Sequence, residues 1–282
     1  MKIEHNCDLK KFTTLRIGGI CNTMYFPESV EELLELRSKL HDVPILGGGS
    51  NLLINDKRSF QDVICMRDFM KNILKIDENE VRVGAGVRLQ KLISIINENG
   101  LGGIEYLFSV PGLVGGAIYM NAGRGRGANK QISDYLVSVE VLEDGNIRTY
   151  LKDECEFGYR TSIFQKKNCV IISATFIFDK INPDEGKRLQ NERIKLCKEF
   201  QDNQYPNAGT TFCEADLRIM RLCQKLSNKK ATRGVHFSTK TTNWLQNRGN
   251  GTYKQAMRKI RCIKTLHKIF HQQCVLEYIV WN

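Results

Sequence analysis

Five residues, Gly47-Gly48-Gly49-Ser50-Asn51, stand between the apolar runs Ile45-Leu46 and Leu52-Leu53-Ile54. Glycine lets a backbone come close to a phosphate, and successive N–H groups can form a nest for an anion. Ser50 and Asn51 add short polar side chains. The order is strand, turn, strand, so this is neither a dinucleotide fingerprint opening a helix nor a Walker A loop. A second glycine cluster runs from Ser109 through Pro111, Gly112, Gly115, Gly116 and Asn121 to Gly123, about sixty residues further on. It has the same close-approach character.

Other chemistry is limited by composition. The ten cysteines contain no C-x-x-C pair. A zinc site brings ligands in at close spacing, so free, mostly core thiols are expected and no metal. The net charge is +11, and it is uneven. Leu217 to Val275 holds fourteen Lys and Arg residues and no acidic one. Such a field suits an anionic partner, whether a diphosphate, a nucleic acid or a membrane surface, or it is a solvated basic face. No RNP or zinc-finger pattern accompanies it, which argues against nucleic acid. The polar N-terminus lacks an apolar signal segment, and no apolar run approaches the roughly 18–20 residues of a membrane span. A cytoplasmic protein without a membrane partner is expected.

The elements that must hold these residues alternate. Ser29 reads as an N-cap with Glu32 completing a capping box, ahead of a helix over residues 28–36. Pro44-Ile45-Leu46, Val63–Met66 and Glu80–Gly86 read as strands. Leu89 to Asn99 reads as a helix stopped by Gly100. Asp144-Gly145 marks a hairpin between strands Leu136–Leu142 and Asn146–Tyr150. Cys169–Phe178 is a long apolar strand. Asn182-Pro183-Asp184-Glu185-Gly186 looks like a boundary before a helix over Lys187–Phe200. A basic helix, Lys254–Phe270, and a final strand, Cys274–Trp281, close the chain. At 282 residues with 41% apolar content, two domains are expected, residues 1–181 and 182–282.

The two glycine clusters and the strands between them resemble the vanillyl-alcohol-oxidase (PCMH) type of FAD-binding domain. Thr13-Thr14-Leu15-Arg16-Ile17-Gly18-Gly19, Gly47–Leu53, Pro111–Gly123 and Phe157-Gly158-Tyr159-Arg160-Thr161-Ser162-Ile163-Phe164 resemble, in order and spacing, the UDP-N-acetylenolpyruvoylglucosamine reductase family. So do Tyr205–Phe212 and Ser238–Asn250. The likeness spans nearly the whole chain. It implies an α+β fold, with a two-lobed FAD-binding domain followed by a C-terminal α+β substrate-binding domain of the shorter type.

The resemblance also implies a chemistry. NADPH reduces FAD, the flavin delivers hydride to the terminal vinyl carbon of a UDP-sugar enolpyruvyl ether, and an acid protonates the carbon beside the carboxylate. The turn at Gly47, Gly48, Gly49, Ser50, Asn51 and Leu52 would lie on the FAD pyrophosphate. Ser109, Pro111, Gly112, Gly115, Gly116, Asn121 and Gly123 would complete the cofactor site. Arg160 matches the family's catalytic Arg, which stabilises the developing enolate. Tyr159, Lys240 and Asn243 match substrate-side positions. Thr210 stands where the family has the proton donor, Ser or Cys. The terminal acid has two alignments. An ungapped one puts Ile279 there, and a one-residue gap puts Glu277 there. Cys213 replaces a usual Lys or Arg, and Thr241 a usual His. The departures therefore cluster on the substrate side. The expected activity is NADPH-dependent reduction in peptidoglycan precursor synthesis. The alternatives are a same-fold flavoprotein acting on another nucleotide-sugar of surface polysaccharide, or a non-catalytic binder of anions or nucleic acid. No residue pattern speaks to oligomeric state.

Overall fold

Asp144 and Gly145 both take positive φ, 49° and 76°, as a two-residue hairpin turn requires. The turn joins the strands Leu136–Glu143 and Asn146–Leu151 in the predicted register, Glu143 opposite Asn146. They belong to a five-stranded antiparallel sheet in a computed structural model that describes residues 1–72, 74–124, 129–227 and 233–282. Lys229 and Lys230 of the basic segment lie outside the described residues. The sheet continues through Cys169–Ile177, Glu80–Gly84 and Leu74–Asp77.

Among the described residues six α-helices accompany the strands: α1 (Val30–Lys39), α2 (Leu89–Glu98), α3 (Val114–Tyr119), α4 (Pro183–Phe200), α5 (Leu217–Ser227) and α6 (Tyr253–Ile269). Ser29 caps α1 as expected, its hydroxyl accepting from Glu32 N–H. Glu32 instead accepts from Glu28 N–H at 2.8 Å and pairs with the N-terminal ammonium, so the reciprocal half of the box is replaced. Gly100, at φ 73°, ends α2.

The chain forms two compact units, Met1–Glu4 with Met24–Gly48 and Asp62–Cys197, and His5–Thr23 with Gly49–Gln61 and Lys198–Asn282. This differs from a single cut at 181/182. The physical reason is that Asn182–Gly186 is a helix start, not a linker. The Asn182 side chain accepts from Asp184 N–H at 2.9 Å, and Pro183 sits at the first helical position. A Cβ on Gly186 would approach Asn97 Cγ to 2.6 Å, so α4 is seated closely on α2. Arg193 Nε also donates to Ser109 Oγ at 2.8 Å.

In the first unit, α2 buries Leu89, Leu92, Ile93 and Ile96, and α3 buries Val114, Ala117 and Ile118. These join Val81, Val83, Val139, Val141, Ala174 and Phe176 of the sheet in one core. In the second unit, Asn207–Thr210, Trp244–Asn247 and Val235–Phe237 form an antiparallel sheet with Trp244–Asn247 in the middle. Its core joins Leu15, Ile17 and Leu53 to Phe212, Phe237, Ile260 and Ile263. The α6 helix opens on a capping box, Thr252 with Gln255. Lys254, Arg258, Arg261, Lys264 and Lys268 are exposed, and Lys259 alone of its Lys and Arg residues is buried.

The final strand is broken. Val275–Leu276 pairs antiparallel with Phe212–Glu214, and Ile279–Trp281 pairs parallel with Leu52–Ile54. Tyr278 causes the break by turning inward. Thr211 Oγ1 donates to its hydroxyl at 3.2 Å, and that hydroxyl donates to Gly209 O at 3.2 Å. Burial pushes the phenol well above its ordinary pKa. Tyr278→Phe should cost about 1–2 kcal/mol in thermal unfolding, since two buried hydrogen bonds go.

Candidate active site

Gly48 and Gly112 bring their loops into backbone contact within the first unit. A Cβ on Gly48 would stand 2.8 Å from Gly112 Cα. Gly112 has φ 144°, and its carbonyl accepts from Leu89 N–H at 3.1 Å. Arg67 Nη2 donates to Gly48 O at 3.2 Å, a support the sequence did not signal. The exposed Pro111 precedes Gly112 in that loop. Gly115 is packed against Ala85, where a Cβ would come within 2.9 Å.

Gly47 and Gly116 are different. A Cβ at either would meet no atom within 4 Å, and neither has a positive φ. Among the described glycines only these two have neither a packing nor a conformational reason to be glycine. A ligand lying against bare backbone would supply the reason. Gly116→Ala is therefore expected to stabilise the ligand-free protein by up to about 1 kcal/mol, because alanine suits a helix better. The same change should weaken FAD binding about tenfold or more through overpacking. Melting curves with and without FAD, with a flavin titration, check both signs.

Asn121 sits nearby at φ 43°, 1% exposed. Its Nδ2 donates to Gln131 Oε1 at 2.6 Å and to Gly158 O at 2.9 Å. Its Oδ1 is buried and has no donor. A buried acceptor left this way calls for a partner such as a ligand N–H.

Tyr159 and Arg160 occupy a tight turn. Gly158 N–H donates to Thr161 O at 3.1 Å, and Thr161 N–H returns a bond at 3.3 Å. Arg160 takes φ 61°, a left-handed conformation that usually falls to Gly or Asn. Its guanidinium donates to Asn121 O at 3.2 Å and Gly123 O at 2.6 Å, and lies 4.9 Å from the Tyr159 ring centroid. Gln165 Nε2 donates to Arg160 O at 3.0 Å and Tyr119 O at 2.8 Å. Gln165 was not among the residues singled out from sequence. Its only signal was its place directly after the Phe157–Phe164 motif.

The second unit holds the other residues. Gly49 takes φ 71°, and a Cβ there would meet Phe12 O at 1.9 Å, so glycine is obligatory. Thr14 N–H donates to Gly49 O at 3.1 Å, while the buried Thr14 hydroxyl has no partner. Ser50 is half-buried in the same turn. The Asn51 side-chain amide donates to Glu277 O at 2.9 Å, and Asn51 O accepts from Ile279 N–H at 3.0 Å. Leu52 stands opposite Ile279 in the parallel pair. Asn51 and Leu52 thus tie the end of the chain to the turn.

Thr210 ends its strand opposite Trp244, half-buried, and its hydroxyl makes no hydrogen bond among the described residues. Thr211 is fully buried and its hydroxyl also accepts from Leu245 N–H at 3.2 Å. Glu277 N–H donates to Thr211 O at 2.8 Å, which brings the Glu277 backbone beside the Thr210 segment. Asn243 Oδ1 accepts from Phe212 N–H at 3.1 Å and its Nδ2 donates to Phe212 O at 2.7 Å, so this amide holds the same segment in place. Lys240 Nζ donates to Lys198 O at 3.3 Å. Thr241 Oγ1 donates to Phe200 O at 3.2 Å, and the Cys213 thiol to Val275 O at 3.5 Å.

The residues fit a flavin nucleotide. Within the first unit two glycines lie bare and a buried amide acceptor lacks a donor. No group of three or more metal-binding side chains occurs among the described residues, and no described helix is long and apolar enough to cross a membrane.

Residues 24–150 match the FAD binding domain family. The chain is 32% identical over 280 residues to a UDP-N-acetylenolpyruvoylglucosamine reductase of Petrotoga mobilis, covering 94% of this chain and 90% of that one. It is 33% identical over 276 residues to one from Thermotoga petrophila, covering 95% of each. The crystal structure of the Thermus caldophilus UDP-N-acetylenolpyruvylglucosamine reductase matches over 100% of both chains, with a TM-score of 0.79 and 28% identity. The expected α+β flavoprotein fold is met.

Proposed function

The chain belongs to the UDP-N-acetylenolpyruvoylglucosamine reductase family, and from that premise we propose that it reduces UDP-N-acetylglucosamine enolpyruvate with NADPH, using FAD, in peptidoglycan precursor synthesis. Nucleotide-sugar and NADPH place the work in the cytoplasm. When bound, FAD supplies the two-electron carriage from NADPH to the terminal vinyl carbon. Gly47 and Gly116 give it bare backbone, Gly48 and Gly112 hold their two loops together, Gly49 and Ser50 continue the turn, and Asn121 offers an acceptor. Gly115 and Gly123 keep the surrounding loops close, and Ser109 anchors α4.

Arg160 carries the reading. A long, charged residue held at φ 61° carries a conformational cost, and its guanidinium is fixed on two backbone carbonyls. Negative charge builds on the substrate carboxylate as hydrogen adds at the far vinyl carbon, and a guanidinium aimed by two carbonyls stabilises that charge. Thr210 donates a proton to the carbon beside the carboxylate, leaving a lactyl ether, and Glu277 returns the proton. Tyr159 and Lys240 serve the substrate side. Asn243, its amide committed to Phe212, acts by positioning Thr210.

The purified FAD-loaded protein is to be incubated with the enolpyruvyl sugar and NADPH. One NADPH consumed per sugar reduced is the expected result. Flavin that NADPH bleaches without turnover of this ether would overturn it. That result would favour another nucleotide-sugar, the reading to which Cys213 and Ile279 lend weight.

A further inference from the structure

Two cysteines thirty-nine positions apart meet on the α5–α6 pair of the second unit. Cys223 Sγ lies 3.1 Å from Cys262 Sγ. A disulfide needs about 2.05 Å, so about 1 Å of approach closes it, within reach of small side-chain rotations. Cys223 is fully buried and Cys262 is half-exposed, so a small oxidant reaches one sulfur while the other waits behind it. Lys259 precedes Cys262 by three residues on α6, the spacing of helical neighbours, and is 5% exposed. Burial lowers the affinity of its amine for a proton, and the two thiols act in the opposite sense. Lys259 thus sets its charge near both sulfurs.

We propose that Cys223 and Cys262 form a reversible redox pair that hydroperoxides close to a disulfide, with Cys262 as the attacking thiol and Cys223 as the resolving one. The Cys262 thiolate attacks one peroxide oxygen. The S–O bond forms, the O–O bond breaks, and the other oxygen leaves as water or an alcohol after taking a proton. The hydroperoxide is reduced by two electrons and the sulfur oxidised to a sulfenic acid. Cys223 then attacks that sulfur. The S–S bond forms, the S–O bond breaks, and the departing hydroxide takes the Cys223 proton and leaves as water. A dithiol reverses the link by exchange.

The bond has a route to the substrate side. Gln224, next to Cys223, donates through Nε2 to Ser238 O at 3.1 Å and Thr242 O at 2.8 Å. It thereby clamps both ends of the segment bearing Lys240, beside Asn243. Drawing α5 toward α6 shifts that clamp. This second part rests on the function proposed above.

The FAD-loaded full chain is to be treated with hydrogen peroxide, alkylated, digested with trypsin and mapped by mass spectrometry. The expected product joins Leu222–Lys225 to Cys262–Lys264, lighter than their sum by two hydrogens. Dithiothreitol removes it, and Cys262→Ser lacks it. Lys259→Met slows its formation about three- to tenfold, while Lys259→Arg retains the rate and guards against a folding artefact. Both thiols alkylated unlinked, Cys262 over-oxidised with Cys223 intact, or a link of Cys213 to Cys274 instead would overturn the pair. Oxidised protein should also show a KM for the enolpyruvyl sugar changed about fivefold and restored by dithiothreitol, at unchanged FAD content. An unchanged KM overturns the coupling to the loop. Absence of any turnover tells against the proposed function, and the peptide map still decides the pair.

Discussion

Arg160→Met should lower kcat of the FAD-loaded protein by about 10²–10³-fold, the loss expected when one directed donor to a developing anion is removed. FAD content should change little, because Arg160 meets Asn121 and Gly123 only at their carbonyls and leaves the bare glycines and the Asn121 side chain in place. Methionine keeps the unbranched apolar stem and removes the charged head, so KM should move less than kcat if the guanidinium acts mainly in the transition state. The turn supplies an internal control. Arg160 sits at φ 61°, where side chains other than Gly and Asn are strained. Arg160→Gly should therefore be more stable than Arg160→Ala by about 1 kcal/mol, although both are equally inactive. Equal melting temperatures for the two would show that the turn stores no strain. Full activity in Arg160→Met would remove the residue from the chemistry.

Thr210→Val should lower kcat by about 10²–10³-fold as well, within the range for loss of a positioned proton donor. Valine matches threonine in shape. The Thr210 hydroxyl holds nothing within the described protein, so unfolding should shift by less than about 0.5 kcal/mol. Its neighbour behaves oppositely. Thr211→Val removes an acceptor for Leu245 N–H and a donor to Tyr278 at a fully buried position, at about 1–3 kcal/mol. Its effect on the chemical step should be small. Adjacent threonines thus separate activity from stability. Thr210→Ser should retain turnover, because it keeps the hydroxyl and loses only the methyl that stiffens χ1.

Local chemistry made part of this molecule readable in advance. Asp144-Gly145 announced a hairpin because both positions need positive φ, and Gly100 announced a helix end for the same reason. The two glycine clusters announced a ligand, although their glycines have unlike duties. Gly49 answers to Phe12, Gly48 to Gly112, and only Gly47 and Gly116 face open space. Packing partners distant in sequence were illegible. Asn182–Gly186 has the composition of a linker, yet Asn182 and Pro183 open a helix there, and only the distant Asn97, against which Gly186 packs, seats it. Cys274–Trp281 alternates like one strand, and only the pull of Thr211 and Gly209 on the Tyr278 hydroxyl divides it. Asn51 and Asn243 look like ligand-facing amides by type, yet their amides go to the Glu277 carbonyl and the Phe212 backbone.

Leu15, Ile17 and Leu53 belong to the core that Ile260 and Ile263 complete. On a ribosome these early residues emerge long before their partners exist. At about 5–20 residues per second, the wait from Leu53 to Ile263 lasts about 10–40 s. For that interval three apolar side chains that end fully buried have no native place to go. The N-terminal end of the nascent chain therefore keeps apolar surface exposed until α6 is made. A premature stop anywhere before α6 releases a product with that core unfinished.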